Sequence, residues 1–270
     1  MMVKGKKDKG IISFKEIKPL QMIRGQLSQL KLMLQSNAPI WFILTHFRLH
    51  YFHRISVKRK KMKILELSFR EFTKELKFDN DWFTPNIPTW LTAFQKNQFD
   101  EKTELNCLEI GSWQGMSAVF ILKYFERAHL TCVDTWEGAD EHQSEHFTKS
   151  ETLMKIEEVF DLNVSPYKHR ITKFKGTSYQ YFNNNFESEK FDLIYIDGSH
   201  HSDDVMLDAI RAFQMLKVNG LIIFDDYFWN YYSRIQDNAS GAINSFVRLK
   251  RNQLEVICFD YQLILRKTEK

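Results

Sequence analysis

The sequence predicts an α/β fold: an open, mostly parallel sheet with helices on both faces, ended by an antiparallel hairpin and preceded by a helical extension. Three observations carry this. From Asn106 onward, short apolar runs alternate with amphipathic stretches, the rhythm of β-α units. Each of the first five runs ends at a Gly or an acid, where such sheets bind ligands. The last two runs are joined too tightly for a crossover helix, so they must pair antiparallel.

Residues 1–78 read as a basic helical N-terminal extension and 79–270 as the sheet domain. Residues 1–18 are Lys-rich. Leu20, Ile23, Leu27, Leu30 and Leu34 recur on one helical face. Asn37-Ala38-Pro39 interrupts that helix, and the aromatic stretch Trp41 to Tyr51 follows. A basic run, Lys58 to Lys63, precedes a third amphipathic pattern at Leu65, Phe69, Phe72 and Leu76. Phe78 to Pro88 reads as a loop leading into Trp90.

In the sheet domain, Cys107 to Ile110 is the first strand, followed by a helix from Gly115 to Phe125. Leu130 to Val133 is the second strand, and the polar stretch Glu137 to Ser150 a loop. A helix over Leu153 to Phe160 leads to a third strand, Ile171 to Phe174. The helix Ser178 to Phe186 leads to a fourth, Phe191 to Ile196. Met206, Ile210, Phe213 and Leu216 give the inward face of the next helix, and Leu221 to Phe224 is the fifth strand. A helix around Ala242 to Leu249 precedes the closing strands, Leu254 to Phe259 and Gln262 to Leu265.

Composition narrows the class. The 270 residues are 43% hydrophobic and 27% charged, with formal net charge +4. That excludes a disordered chain and a Gly- or Pro-built fibre. The charge is unevenly placed. Residues 1–63 hold 15 Lys and Arg against two acids, Asp8 and Glu16, whereas the remainder holds 23 against 32. Cys107, Cys132 and Cys258 are isolated in apolar runs, as buried thiols in a reducing compartment would be. Near the N-terminus the longest apolar run, Ala38 to Leu44, is far below the roughly 20 residues that span a bilayer. No small-residue cleavage site accompanies it. A cytoplasmic protein is expected, soluble or peripheral to a membrane.

The strand ends supply the chemistry. Glu109-Ile-Gly111-Ser-Trp-Gln-Gly115 is a Gly loop at the end of the first strand. Gly111 permits a sharp turn and a close ligand. Asp134 ends the second strand, placed to accept the hydroxyls of a ribose. Bulky Trp113 and Gln114 inside the loop disfavour a pyrophosphate, so a nucleoside without phosphates fits better. Asp197, Asp225 and Asp226 meet at neighbouring strand ends. Three carboxylates so close repel unless a cation such as Mg²⁺ lies between them. Polar substrate contacts or a helix cap without metal is the alternative.

These features resemble the class I S-adenosylmethionine (SAM)-dependent methyltransferases, whose sheet is Rossmann-like, seven-stranded and ends in the same hairpin. The stretches Leu108 to Ser117, Cys132 to Gly138, Phe191 to His200 and Ile223 to Tyr227 look like methyltransferase family 24, which includes sugar O-methyltransferases similar to macrocin O-methyltransferase. Asn86 to Trp90 is similar to its lead-in segment. The resemblance spans roughly residues 80–268. It implies a SAM site built from Glu109, Gly111, Ser112, Gly115, Asp134, Trp136, Thr177 and Ser178. By the same analogy Asp197, Asp225 and Asp226 would hold Mg²⁺, and the acceptor would be a hydroxyl on a small polar molecule such as a sugar or glycosylated metabolite. The chain departs from the pattern after Asp197, with Gly198-Ser199-His200-His201 and no acid two residues on. His200 is therefore the candidate base, with Asp197 as its catalytic neighbour.

Other readings remain at this level. The fold also serves NAD-dependent oxidoreductases, and a non-catalytic membrane- or nucleic-acid-associated module could retain it. His142 and His146 have helical metal spacing but sit in a polar loop. Tyr227 and Trp229 offer aromatic walls for an acceptor. His201 reads as a solvent-facing residue before a Ser202 helix cap. The basic extension suits three roles: a cap or homodimer contact, an anionic membrane surface, or nucleic acid, the last without any recognisable module.

Overall fold

In the computed structural model, residues 19–55, 58–143 and 150–269 are described. Seven strands form one sheet in the order β3-β2-β1-β4-β5-β7-β6. They are β1 Asn106–Ile110, β2 His129–Asp134, β3 Ile171–Lys175, β4 Phe191–Ile196, β5 Leu216–Phe224, β6 Leu254–Phe259 and β7 Leu263–Lys267. The first five are parallel, and β7 runs antiparallel between β5 and β6. The expected Rossmann-like sheet with its terminal hairpin is present.

Ten helices accompany these strands among the described residues: α1 Pro19–Gln35, α2 Ile40–Ile55, α3 Lys58–Thr73, α4 Ile87–Lys96, α5 Met116–Tyr124, α6 Ser150–Leu153, α7 Ile156–Val164, α8 Ser178–Asn185, α9 Ser202–Met215 and α10 Ala239–Leu249. Two cores separate by strand alternation. Cys107, Cys132, Leu193, Leu221 and Ile223 face the core under α3, α4, α5 and α7. Leu108, Ile110, Ile194, Ile196 and Ile222 face the other, with α2, α8, α9 and α10. All three thiols are free and buried.

The helix expected over Leu153 to Phe160 is divided between α6 and α7, and two further boundaries differ from expectation. The segment before Trp90 is not all loop, because α4 starts at Ile87. Pro88 sits in its first turn, where a missing N–H costs nothing. Trp90 and Phe94 are fully buried, so packing forms this helix. The fifth strand begins five residues early, at Leu216, where the chain pairs with Phe191 before a register shift. Asn219, at φ 65°, and Gly220 make that irregularity.

The helical extension is packed into both cores. Met33, Phe42 and Ile43 join one. Met62 and Phe69 join the other. Asn37, at φ 59°, ends α1 as the Asn-Ala-Pro break predicts. The boundary near residue 78 thus marks a change in composition within a shared hydrophobic interior.

Candidate functional site

A cleft of about 1020 Å³ opens over the carboxyl ends of β1, β2, β4 and β5. Its floor is the loop after β1. Gly111 has φ +84°, and a Cβ there would lie 2.0 Å from the Asp197 carbonyl oxygen. Only Gly lets the two strand ends meet so closely. Gly115, at φ +86°, opens α5 against the Phe160 ring, where a Cβ would come within 3.0 Å.

Asp134 shapes this loop from the second strand. Its Oδ2 accepts the Ser112 and Trp113 amides at 2.7 and 2.8 Å. Its Oδ1 accepts the Trp136 amide at 2.6 Å. Glu109 braces the loop from below. The Ser112 and Ser117 hydroxyls each donate to it at 2.6 Å. Burial pushes its carboxyl up to about 7, against the pull of the two serines.

Of the residues assigned to SAM, Gly111, Ser112, Asp134, Thr177 and Ser178 line the cleft. Glu109, Gly115 and Trp136 do not. The alternation of β1 turns Glu109 inward to the serines, and it is fully buried. Gly115 faces Phe160. Trp136, at φ 55°, turns its ring onto Phe160 and donates through Nε1 to the Trp113 carbonyl at 3.0 Å. These three support the loop from beneath. Thr177 caps α8, accepting the Gln180 amide at 3.2 Å.

The acids form the opposite wall. Asp197 follows β4, its amide bonded to the Ile110 carbonyl at 2.8 Å, and Asp225 follows β5, bonded to the Ile196 carbonyl at 3.0 Å. Tyr195 lies between their side chains, 2.8 Å from Asp197 Oδ2 and in closer contact with Asp225 Oδ2. Burial, then the charges of Asp197 and Asp226, push the Asp225 carboxyl well above the usual carboxylate range. Gln262 Nε2 also donates to Asp225 at 2.8 Å, and Trp90 Nε1 fixes Gln262 at 2.6 Å.

Asp226 has φ +52°, which breaks the strand alternation and turns it to the cleft. Its Oδ2 meets His200 Nε2 at 2.7 Å, and its Oδ1 accepts the Tyr261 hydroxyl at 2.5 Å. Burial opposes its charge, but His200 and Tyr261 hold its carboxyl below the ordinary value. Asp197 Oδ1 stands 3.9 Å from the same imidazole, and burial raises its carboxyl to about 6. The expected ligand trio is Asp197, Asp225 and Asp226. Among the described residues, the side chains whose donor atoms all lie within 4.8 Å of one another are Asp197, His200 and Asp226. Asp225 also lines the cleft but lies outside that group, its Oδ2 in contact with Tyr195 and Gln262.

Other expectations resolve similarly. His201 is itself the α9 cap, accepting the Asp203 amide through Nδ1 at 3.4 Å, and Ser202 is the first helical residue. Trp229 lines the cleft. Tyr227 is buried and donates to Asn244 at 2.7 Å, away from it. His142 stacks between Trp82 and Trp113 at the rim; His146 lies outside the described residues. Tyr195, Gln262 and Tyr261 also belong to the acid wall, and no motif of the sequence assigns them a role. Only Tyr195 left a signal, since it stands two residues before Asp197 on a strand and so shares its side.

The chain shows structural likeness to several solved proteins. One is a Corynebacterium glutamicum protein, 13% identical over 84% of this chain and 98% of that one, with a TM-score of 0.48. Another is an O-methyltransferase from Bacillus cereus in complex with SAH, 14% identical over 82% and 96%, with a TM-score of 0.47. A third is the MycE methyltransferase of the mycinamycin biosynthetic pathway, in complex with Mg, SAH and mycinamycin VI, 18% identical over 76% of this chain, with a TM-score of 0.49. This chain spans 54% of the length of MycE. No curated protein matches it. A family model described as a methyltransferase domain matches residues 108–227. That span holds the Gly111 loop, Asp134, Asp197, His200 and both acids after β5, the residues in which this chain is similar to that family.

Proposed function

We propose that this enzyme moves the methyl group of SAM to a hydroxyl of a small polar acceptor, with a sugar or glycosylated metabolite as the substrate class its sequence resemblance favours. One observation carries the reading. The Gly111 loop and Asp134 face the Asp197–His200–Asp226 cluster across a single cleft.

The residues suit the cofactor. Gly111 leaves bare backbone at the strand end. Asp134 Oδ1 accepts one amide in the described contacts and retains a lone pair for a ribose hydroxyl. Trp113 and Gln114 fill the loop where a pyrophosphate would need space, which favours a sulfonium nucleoside over NAD. Bound here, SAM supplies an activated methyl on a cationic sulfur, for which an acid-lined cleft is complementary. The volume exceeds a nucleoside alone, leaving room for an acceptor beside Trp229 and Asp226.

In this reading His200 takes the acceptor proton. Asp226 orients its imidazole at 2.7 Å and favours the protonated form it would reach. Asp197 and Asp226 also suit Mg²⁺, since hard cations prefer carboxylate oxygen and leave imidazole nitrogen aside. Such an ion would lower the pKa of an acceptor hydroxyl. The protein's own contribution is then to hold both partners in line and to exclude water.

Calorimetry with SAM, S-adenosylhomocysteine (SAH) and NAD tests the cofactor; no heat from either sulfur nucleoside overturns the reading. His200→Ala should still bind SAH yet release none from SAM with hydroxylated acceptors. Undiminished turnover removes His200 as the base, and transfer to amines alone overturns O-methylation.

A further inference from the structure

We infer that the outer face of α1 and α2, together with the end of α10, is a docking surface for an anionic lipid bilayer. The inference does not depend on which acceptor the cleft takes. It starts from what α2 does with its two sides. Phe42, Ile43, His46 and His50 are buried, and His50 Nδ1 holds Asp260 at 3.0 Å. The opposite side carries Ile40, Leu44, Arg48 and Tyr51 at helical spacing. Ile40 is 75% exposed and Leu44 65%. On α1, Leu27, Lys31 and Leu34 repeat the arrangement and are exposed.

The catalytic domain contributes to the same surface. Asn244 fixes the α1–α2 turn through the Ser36 carbonyl and hydroxyl at 3.0 and 2.8 Å. Arg248 donates to the Asn37 carbonyl at 2.8 Å, and the Arg251 guanidinium lies 3.9 Å over the Trp41 ring. Between those arginines, Leu249 is 68% exposed. Isolated exposed leucines mean nothing. Here they gather at a rigidly tied corner, interleaved with cations.

Charge selects the occupant. No acid occurs from Ile17 to Leu65, nor from Asn238 to Leu254. A second copy meeting this face symmetrically would bring Lys31, Arg48, Arg248 and Arg251 against themselves. A polyanion without apolar depth would leave Ile40, Leu44 and Leu249 in water. An anionic bilayer accepts both: headgroups pair the cations while the apolar tips enter the acyl boundary. Among the described residues no helix is long and apolar enough to cross a membrane, so the contact is peripheral.

Co-sedimentation of the full chain tests this, with vesicles of phosphatidylcholine alone or mixed equally with phosphatidylserine. Binding should need phosphatidylserine and fall at high salt. Ile40→Asp with Leu44→Asp should weaken it at least about tenfold, and Lys31→Glu with Arg48→Glu similarly, each charge being worth roughly fivefold. Thermal melting should stay unchanged, since all four side chains are exposed. Absence of vesicle binding, equal binding to neutral vesicles, or insensitivity to both double variants overturns the inference. A concentration-dependent dimer that Ile40→Asp/Leu44→Asp dissolves overturns it in favour of a second copy.

Discussion

Replacing Glu109 by Gln should stabilise the protein at alkaline pH while changing little in acid. Glu109 is fully buried beneath the Gly loop, with two serine hydroxyls as its donors. Its carboxyl rises from 4.5 to about 7, burial being the main cause. The folded protein therefore holds this proton more tightly than the unfolded chain. Stability is full below pH 4.5 and declines as pH climbs through 7. That shift amounts to about 3 kcal/mol at pH 8, a sizeable fraction of a typical domain's stability. Gln keeps the shape and carries no charge. Its carbonyl can accept from Ser112 while its amide donates to Ser117, so at pH 4.5 the two proteins should agree within about 1 kcal/mol. Urea unfolding of both, from pH 4.5 to 8, measures the difference directly. The variant should gain steadily up to about pH 7 and then level off. A difference that is flat with pH, or wild type gaining on the variant as pH rises, would mean that Glu109 is ionised and satisfied in the fold, and the burial argument would fail.

Gly111→Ala should lose at least about 3 kcal/mol and its SAH binding together, because a Cβ at φ +84° would meet the Asp197 carbonyl; a normal melt with normal affinity would refute the close approach. Mg²⁺ should raise the melting temperature of wild type and of Asp225→Asn, but not of Asp226→Asn, because Asp225 faces Tyr195 and Gln262. Equal loss in both variants would restore Asp225 as a ligand. Asn163→Ala should cost about 2–4 kcal/mol by urea unfolding, since that side chain exchanges two bonds with the Lys77 backbone and donates to the Gln114 carbonyl. A loss under about 1 kcal/mol would show those backbone groups finding other partners.

What could be read in advance follows from the range of each interaction. Strands, the Gly loop and the strand-end acids depend on local pattern, and β1 through β5 fall close to the apolar runs that predict them. Residue direction was harder. Glu109 and Trp136 occur where a cofactor-lining residue should, yet alternation and a positive φ turn them under the loop. Asp225 and Asp226 are adjacent in sequence and both line the cleft, and the left-handed backbone at Asp226 is what turns it to His200 while Asp225 meets Gln262. The longest links left no trace at all. Trp90 to Gln262 and His50 to Asp260 join residues 172 and 210 apart. These two bonds bear on the acids from opposite sides. Trp90 orders Gln262 against Asp225. His50 holds Asp260, whose neighbour Tyr261 donates to Asp226. The hairpin turn between β6 and β7 therefore positions both carboxylates, and it is itself held by α4 and α2. An extension that looked separate in charge is thus mechanically part of the acid wall. Disturbing α2 at His50 should reach Asp226 through the Asp260–Tyr261 turn, which lines the cleft.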